Sequence, residues 1–206
     1  MALAARSPSS GYAQARLKTS SPLPGRWVSR GRDGSFAARK SGFSNPKIAT
    51  VAAGGILHRF YSKAYEPIFF DRSKGGRLNA PEADYGVLYA AETANGAFAE
   101  TFLRQPGRQQ IPDDLLSAKA CVRLRTTRKL SFIKLMGTGL APLGATAEVT
   151  HGSLPYDVPQ AWSAALHEHS VQPDGIAHTT RHDDSEVRYA IFERASDGVE
   201  GGRSRS

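Results

Sequence analysis

Four residues between positions 59 and 100 have side chains that could perform chemistry together: Arg59, Arg77, Tyr89 and Glu100. Arginine guanidinium groups grip phosphates through paired hydrogen bonds. A tyrosine ring can stack on a flat heterocycle, and a carboxylate stabilises a cation that develops during a reaction. A site for a substrate that carries a phosphate and a flat ring would need these residue types, with Glu100 as the carboxylate.

Each of these residues also has a purely structural explanation. Arg59 could face solvent from its strand, and spacing alone slightly favours that interpretation. The pair Gly75-Gly76 is more often a surface turn than a loop that lets the backbone approach a ligand. Tyr89 could pack in the core, and Glu100 could pair with the arginine four residues later for roughly 0.3–0.5 kcal/mol. The residue types alone do not decide between these alternatives.

The elements that must position the four residues follow from local patterns. The β-forming residues at 56–61 and the apolar run at 86–90 predict two strands, and the second is expected to be central in its sheet. Gly and Pro mark the connection at 63–85 as irregular, and a loop of that length is usually functional or disordered. Apolar residues recur at spacings of three and four residues over 94–105, which predicts a helix capped by Thr93. On that helix Glu100 lies about a third of a turn from the centre of the apolar stripe.

The remainder of the chain predicts further strands and one more helix. Strands are expected at 120–126, 130–135, 176–180 and 187–193, and a helix at 159–169. Strands outnumber helices and do not alternate with them, which predicts an α+β domain. We place this domain at 47–196, after a basic and mostly disordered N-terminal segment at 1–46 and before a flexible C-terminal segment at 197–206.

The net charge of +8 is concentrated at the N-terminus. Residues 1–50 hold nine Lys or Arg and one Asp, whereas residues 51–206 hold 18 residues of each sign. Any nucleic-acid binding is therefore expected to be weak and confined to the basic segment. The single cysteine favours a reducing cytoplasm over a disulfide-rich secreted class, and no apolar run is long enough for a membrane span.

The sequence gives little support for a metal site or for nucleophilic catalysis. His167 and His169 are two apart on a predicted helix, whereas joint ligation needs a spacing of four. His178 and His182 could approach one another, but no third ligand accompanies them. Cys121 has no neighbouring histidine, and the chain contains neither a nucleophile elbow nor a P-loop. We therefore expect no metal.

Taken together, the blocks resemble the RES domain, a bacterial family named for its arginine, glutamate and serine. The resemblance covers about residues 55–195. It depends on the following segments, in this order and spacing: Leu57-His58-Arg59-Phe60, Gly75-Gly76-Arg77-Leu78-Asn79, Val87-Leu88-Tyr89-Ala90-Ala91-Glu92, Ala97-Phe98-Ala99-Glu100, Trp162 to Ala165, Asp174 to His182, and Tyr189-Ala190-Ile191-Phe192.

The resemblance implies a fold like that of the ADP-ribosyltransferase toxins, in which a split mixed β-sheet with flanking helices encloses an NAD cleft. It implies that NAD is consumed as a substrate, either by degradation or by transfer of ADP-ribose to a protein. Many members are toxins of toxin–antitoxin pairs, silenced by an antitoxin with an Xre-type helix-turn-helix domain. A homodimer is a further expectation.

The family's site residues fall on specific positions of this chain. Arg59 and Arg77 would hold the diphosphate, Tyr89 would stack on the nicotinamide, and Glu100 would be catalytic together with Arg59. The family serine falls on Thr180, which keeps the hydroxyl for a ribose contact but adds a methyl group. Leu78 stands where a tryptophan is often found. These two departures leave a second hypothesis open, a catalytically impaired RES-fold module that binds a nucleotide or a protein partner.

Overall fold

A computed structural model describes residues 28–30, 36–38, 45–103, 110–152, 154–180 and 183–201 of the 206-residue chain. Eight strands form one sheet: β3 (Ile48–Val51), β4 (Ile56–Ser62), β5 (Val87–Ala91), β6 (Lys119–Thr126), β7 (Leu130–Lys134), β8 (Gly175–Thr179), β9 (Val187–Phe192) and β10 (Val199–Gly201). Two earlier strands, β1 (Val28–Arg30) and β2 (Phe36–Ala38), form an antiparallel pair of their own.

The sheet is mixed, with the strand order β10-β6-β4-β5-β9-β8-β7-β3. All neighbours are antiparallel except β7 and β8, which are parallel. The apolar strand β5 lies inside the sheet, between β4 and β9, as its sequence predicts. Side chains at four of its five positions are buried. The α+β class and the mixed sheet with flanking helices are therefore confirmed.

The sheet opens between β4 and β5. These strands pair only through His58 and Ala91, whereas β4 pairs with β6 over seven residues and β5 with β9 over five. Beyond the single contact the two strands diverge, and the predicted split lies in the middle of the sheet. The residues of β4 that follow His58 therefore line an open cleft instead of a continuous ladder.

Within the described ranges five α-helices flank the sheet: α1 (Ala94–Phe102), α2 (Asp113–Ser117), α3 (Leu140–Leu143), α4 (Glu148–His151) and α5 (Asp157–His167). The predicted cap of α1 is confirmed, since the Thr93 hydroxyl accepts a hydrogen bond from the Gly96 amide at 2.9 Å. The three short helices α2 to α4 were not predicted, because runs of four or five residues are too short to show a helical period. None of the helices in the described residues is long and apolar enough to span a membrane.

Two apolar clusters stabilise the two faces of the sheet. One packs α5 against the sheet through Trp162 and Leu166, both fully buried, together with Phe192 of β9. The other includes Leu57 of β4 and Phe132 of β7. Phe60 of β4 lies edge-on to Phe102 of α1, with ring centroids 5.3 Å apart, so that α1 is held beside the split.

Short strands also lie near both ends of the chain. Within the C-terminal segment 197–206, β10 pairs with β6, and Val199 is 5% exposed. A three-residue edge strand in a polar, Gly-rich context has too few positions to show strand alternation. Within 1–46 the strands β1 and β2 pair over three residues each, and the other residues of 1–44 and residues 202–206 lie outside the described part of the chain.

Candidate active site

Two neighbouring cavities share one wall made of Tyr89, Glu100 and Arg188. The larger, about 730 Å³, lies in the split between β4 and β5 and is lined by Arg59. The smaller, about 70 Å³, is lined by Arg77 and by residues of β8 and the chain that follows it, Thr180 included. The larger volume is in the range of small-molecule sites, whereas the smaller has room for a small polar group.

The structure thus brings the five predicted site residues into one region. Tyr89 and Glu100 line both cavities, but Arg59 and Arg77 line different ones. A diphosphate seated in the larger cavity would therefore meet Arg59, and the pairing of both arginines on one diphosphate stays a prediction.

Arg59 faces the cleft and not bulk solvent. Its Nη1 donates to the backbone oxygen of Tyr89 at 3.0 Å and its Nη2 to that of Phe69 at 3.4 Å. The first contact lies across the split, where β4 and β5 no longer pair. Its Nε is buried without a hydrogen-bond partner among the described residues, and burial lowers the pKa of the guanidinium. The structure therefore supports the cleft interpretation of Arg59 over the solvent-facing one.

Arg77 lies on the loop between β4 and β5 and points toward α4. One of its terminal nitrogens donates to the backbone oxygen of Thr150, and its guanidinium lies 5.3 Å from the centre of the Tyr156 ring. Of the two preceding glycines, Gly75 lines the smaller cavity. Gly76 has a packing role, because a side-chain carbon there would overlap Asn79.

Tyr89 anchors this loop through its hydroxyl. The hydroxyl donates to Oδ1 of Asn79 at 2.9 Å and accepts from the amide of Leu78 at 2.9 Å. Asn79 is fully buried, and its Nδ2 reaches the Asp71 carboxylate and the Ser73 carbonyl at 3.0 and 2.6 Å. The tyrosine is therefore a structural support as well as a wall of both cavities, and its stacking on a ligand ring remains a prediction. Leu78 is 1% exposed and belongs to the core.

Glu100 forms an ion pair with Arg188 of β9. The arginine is 3% exposed and also donates to the backbone oxygen of Gly96 on α1, while the glutamate side chain is 36% exposed. The pair fixes the carboxylate at the shared wall and leaves part of it accessible. The alternative pair with Arg104 lies outside the described residues.

Arg188 was not predicted, because a single arginine after Val187 resembles the polar position of an alternating strand. A signal was nevertheless present, since Arg188, like Arg59, is a charge within an apolar strand sequence and is costly to bury unless it is paired. In the structure Arg188 is opposite His178 on β8 and opposite Ala91 on β5.

Thr180 is 2% exposed, and its hydroxyl is engaged with the backbone of Asp183. It donates to the Asp183 carbonyl at 2.9 Å and accepts from the Asp183 amide at 2.8 Å. It lines the smaller cavity, but its hydroxyl closes a turn at the end of β8. A ribose hydroxyl would have to share or replace these bonds.

No cluster of three or more His, Cys, Asp or Glu with metal-binding geometry occurs among the described residues. The two histidines of the pair His167 and His169 have separate partners. His167 stacks on Tyr85 with ring centroids 3.8 Å apart, and Nδ1 of His169 accepts from the Val171 amide. His182 lies outside the described residues.

Comparison with known proteins agrees with the sequence resemblance. A solved structure with the same fold is the crystal structure of the M. tuberculosis MbcT–MbcA toxin–antitoxin complex, with a TM-score of 0.59 and 13% identity over 75% of this chain and 84% of that one. Among curated proteins no match is found. The family model of the RES domain matches residues 55–204, most of the chain and nearly the whole described sheet, so that this protein belongs to the RES domain family.

Proposed function

We propose that the protein cleaves the nicotinamide–ribose bond of NAD and is the toxin of a toxin–antitoxin pair. The observation that carries the proposal is the shared wall, where the Glu100 carboxylate is held by Arg188 between a nucleotide-sized cavity and a small polar one. Arg59 in the larger cavity supplies the cation that an ADP moiety requires. Membership of the RES family supports the same class of activity.

The proposed reaction uses the fixed carboxylate electrostatically. As the C–N bond breaks, its electron pair goes to the pyridinium nitrogen, which leaves as neutral nicotinamide, and positive charge develops on the ribose. Glu100 beside the anomeric carbon stabilises that charge most in the transition state. An acceptor oxygen from water, phosphate or a protein side chain then forms the new C–O bond, and its proton passes to solvent.

The toxin assignment leads to proposals about partner and compartment. The structural relative was crystallised with its antitoxin, and an antitoxin with an Xre-type helix-turn-helix domain is the partner we propose here. We propose the cytoplasm as the place of action, because NAD is abundant there and the chain has a single cysteine.

The direct test incubates the purified protein with NAD and follows nicotinamide release, with and without phosphate or a protein acceptor. We expect release by the wild type and a loss on the order of 100-fold or more in Glu100→Gln, which removes the negative charge and keeps the shape. The matched control is Glu92→Gln, whose carboxylate accepts from Tyr189 outside both cavities and whose release we expect to equal that of the wild type. Absence of release under every condition would overturn the proposal.

A second candidate function is a binding module, and one observation favours it. The Thr180 hydroxyl, which the resemblance assigns to a ribose, is bonded twice to the Asp183 backbone. If calorimetry detects NAD binding by the wild type while no nicotinamide is released, the binding-module hypothesis is favoured. Restored release in Thr180→Ser would then identify the threonine as the cause of the loss.

A further inference from the structure

His178 of β8 is a buried histidine that the proposed reaction has not yet used. It is 7% exposed and lines the smaller cavity. Three charged side chains lie around it, each from a different element: Glu100 from α1, Arg188 from β9 and Arg77 from the loop before β5. Its cross-strand neighbour on β9 is Arg188.

The hydrogen bonding of the ring defines its tautomer. Nδ1 lies 3.0 Å from the backbone oxygen of Thr179. A carbonyl oxygen can only accept, so Nδ1 carries the proton, and in a neutral ring Nε2 is then an acceptor with a free lone pair. Burial is the main cause that lowers the pKa of His178, to about 4, so the ring is neutral near pH 7.

Nε2 is buried and has no hydrogen-bond partner among the described residues. Buried polar atoms are almost always paired, so an exception next to a cavity calls for a donor in that cavity, either a ligand atom or a water that the ligand displaces. Arg77 and Arg188 only donate, so the acceptors beside this part of the cavity are Nε2 and the Glu100 carboxylate, which already accepts from Arg188.

We propose that His178 Nε2 accepts a hydrogen bond from an N–H or O–H of the substrate seated in the smaller cavity. The inference rests on the proposed function and makes His178 a determinant of substrate specificity. NAD carries two such donors near its scissile bond, the carboxamide N–H of nicotinamide and the hydroxyls of the attached ribose. Either would lie beside the Glu100 carboxylate, at the wall that the two cavities share.

The test compares kcat/KM for NAD with that for two analogues. In the first analogue, 3-acetylpyridine adenine dinucleotide, a methyl ketone replaces the carboxamide. The second lacks the 2′-hydroxyl of the nicotinamide ribose. We expect the wild type to disfavour one analogue by on the order of tenfold and His178→Phe, which keeps a ring but has no acceptor, to lose that discrimination selectively. His178→Gln, whose amide oxygen can accept, should restore part of it.

His167→Phe is the matched control, because this second histidine stacks on Tyr85 and lines neither cavity. Its discrimination should equal that of the wild type. Thermal unfolding establishes that each variant is folded. If His178→Phe does not fold, the comparison with the wild type is made with His178→Gln alone.

Three outcomes would overturn the inference. NAD cleavage with unchanged discrimination in both His178 variants would remove the specificity role and leave the proposed function intact. An equal loss for NAD and both analogues would give the ring a purely structural role. A wild type that neither binds nor cleaves NAD would overturn the proposed function and this inference with it.

Discussion

The two sides of β5 are built in opposite ways. Toward β9 the ladder is continuous over five residue pairs, and beyond it β8 adds five more. Toward β4 a single pair holds before the strands diverge. The closed side fixes Arg188 and His178 across from one another, whereas the open side leaves a cavity of about 730 Å³. The continuous side therefore holds Arg188, which positions the candidate carboxylate of Glu100. The split provides the cavity that we propose for the nucleotide.

The sharpest way to break this arrangement is Glu100→Gln. Besides the loss of the proposed NAD cleavage, we expect it to lower the free energy of unfolding by about 3 kcal/mol, because the charge of Arg188 stays buried without its carboxylate. The double variant Glu100→Gln with Arg188→Met should recover part of that loss, since no charge is then stranded. Urea denaturation of the two single variants and the double variant measures the coupling, and additive effects would contradict it.

Arg59→Met tests the open side. We expect NAD cleavage to fall on the order of 100-fold, because the cation proposed to bind the diphosphate is removed, while the free energy of unfolding falls by only about 1 kcal/mol. The two carbonyl groups that lose their donor line an accessible cleft, where water can replace it. Nicotinamide release and urea denaturation report the two effects separately. A loss of stability as large as that of Glu100→Gln would mean that the two sides do not differ in this way.

Asn79→Ala tests the loop that borders both cavities. Asn79 is fully buried and bonds Tyr89, Asp71 and the backbone of Ser73, so we expect its removal to cost about 2 kcal/mol of unfolding free energy. The control is Ser73→Ala, whose exposed hydroxyl bonds Asp71 and whose loss should change stability by less than about 0.5 kcal/mol. Equal effects of the two variants in thermal denaturation would refute a special role for Asn79.

The smallest expected effect is a pH dependence from the closed side. The pKa of His178 is lowered from 6.5 to about 4 in the folded protein, so the unfolded chain takes up the proton first as the pH falls. Above the unfolded pKa of 6.5 the ring is neutral in both states and does not lower the free energy of unfolding. As the pH falls from about 6.5 to 4, protonation of the unfolded chain lowers that free energy. Between pH 7 and 5.5 we expect a loss of about 1 kcal/mol.

His178→Gln should reduce this pH dependence by that amount. His167, whose pKa burial also lowers to about 4, contributes in the same direction, so its variant His167→Gln is measured in parallel. Chemical denaturation at pH 7 and pH 5.5 measures the difference in the free energy of unfolding. If that difference in His178→Gln equals the wild-type difference, the buried neutral ring is contradicted.

Sequence patterns predicted the fold where periodicity is strong. The helix α1 follows from its apolar period and its cap Thr93, and the strands β4 to β9 follow from short runs of β-forming and apolar residues. The edge strand β10 could not be found in this way, because three residues have no measurable period. Which sheet neighbours pair, and where the ladder is interrupted, depends on contacts between distant residues that a single sequence does not display.

The candidate site shows the same limit. Residue type suggested Arg59 and Glu100, but their surroundings were open to two interpretations until the split placed them on one cavity. His178 was considered only as a metal ligand, because its buried Nε2 is a property of the fold. Thr180 was treated as a ligand contact, whereas its hydroxyl also closes a turn through Asp183.

The two carbonyl contacts of Arg59 have a consequence for affinity. A free arginine side chain loses about 2 kcal/mol of rotamer entropy when it is immobilised. Here the backbone oxygens of Tyr89 and Phe69 already restrain the guanidinium before a ligand arrives. An anion that binds to its remaining N–H groups would therefore meet a preorganised receptor, and most of that entropy loss belongs to the folding of the protein and not to its association with the ligand.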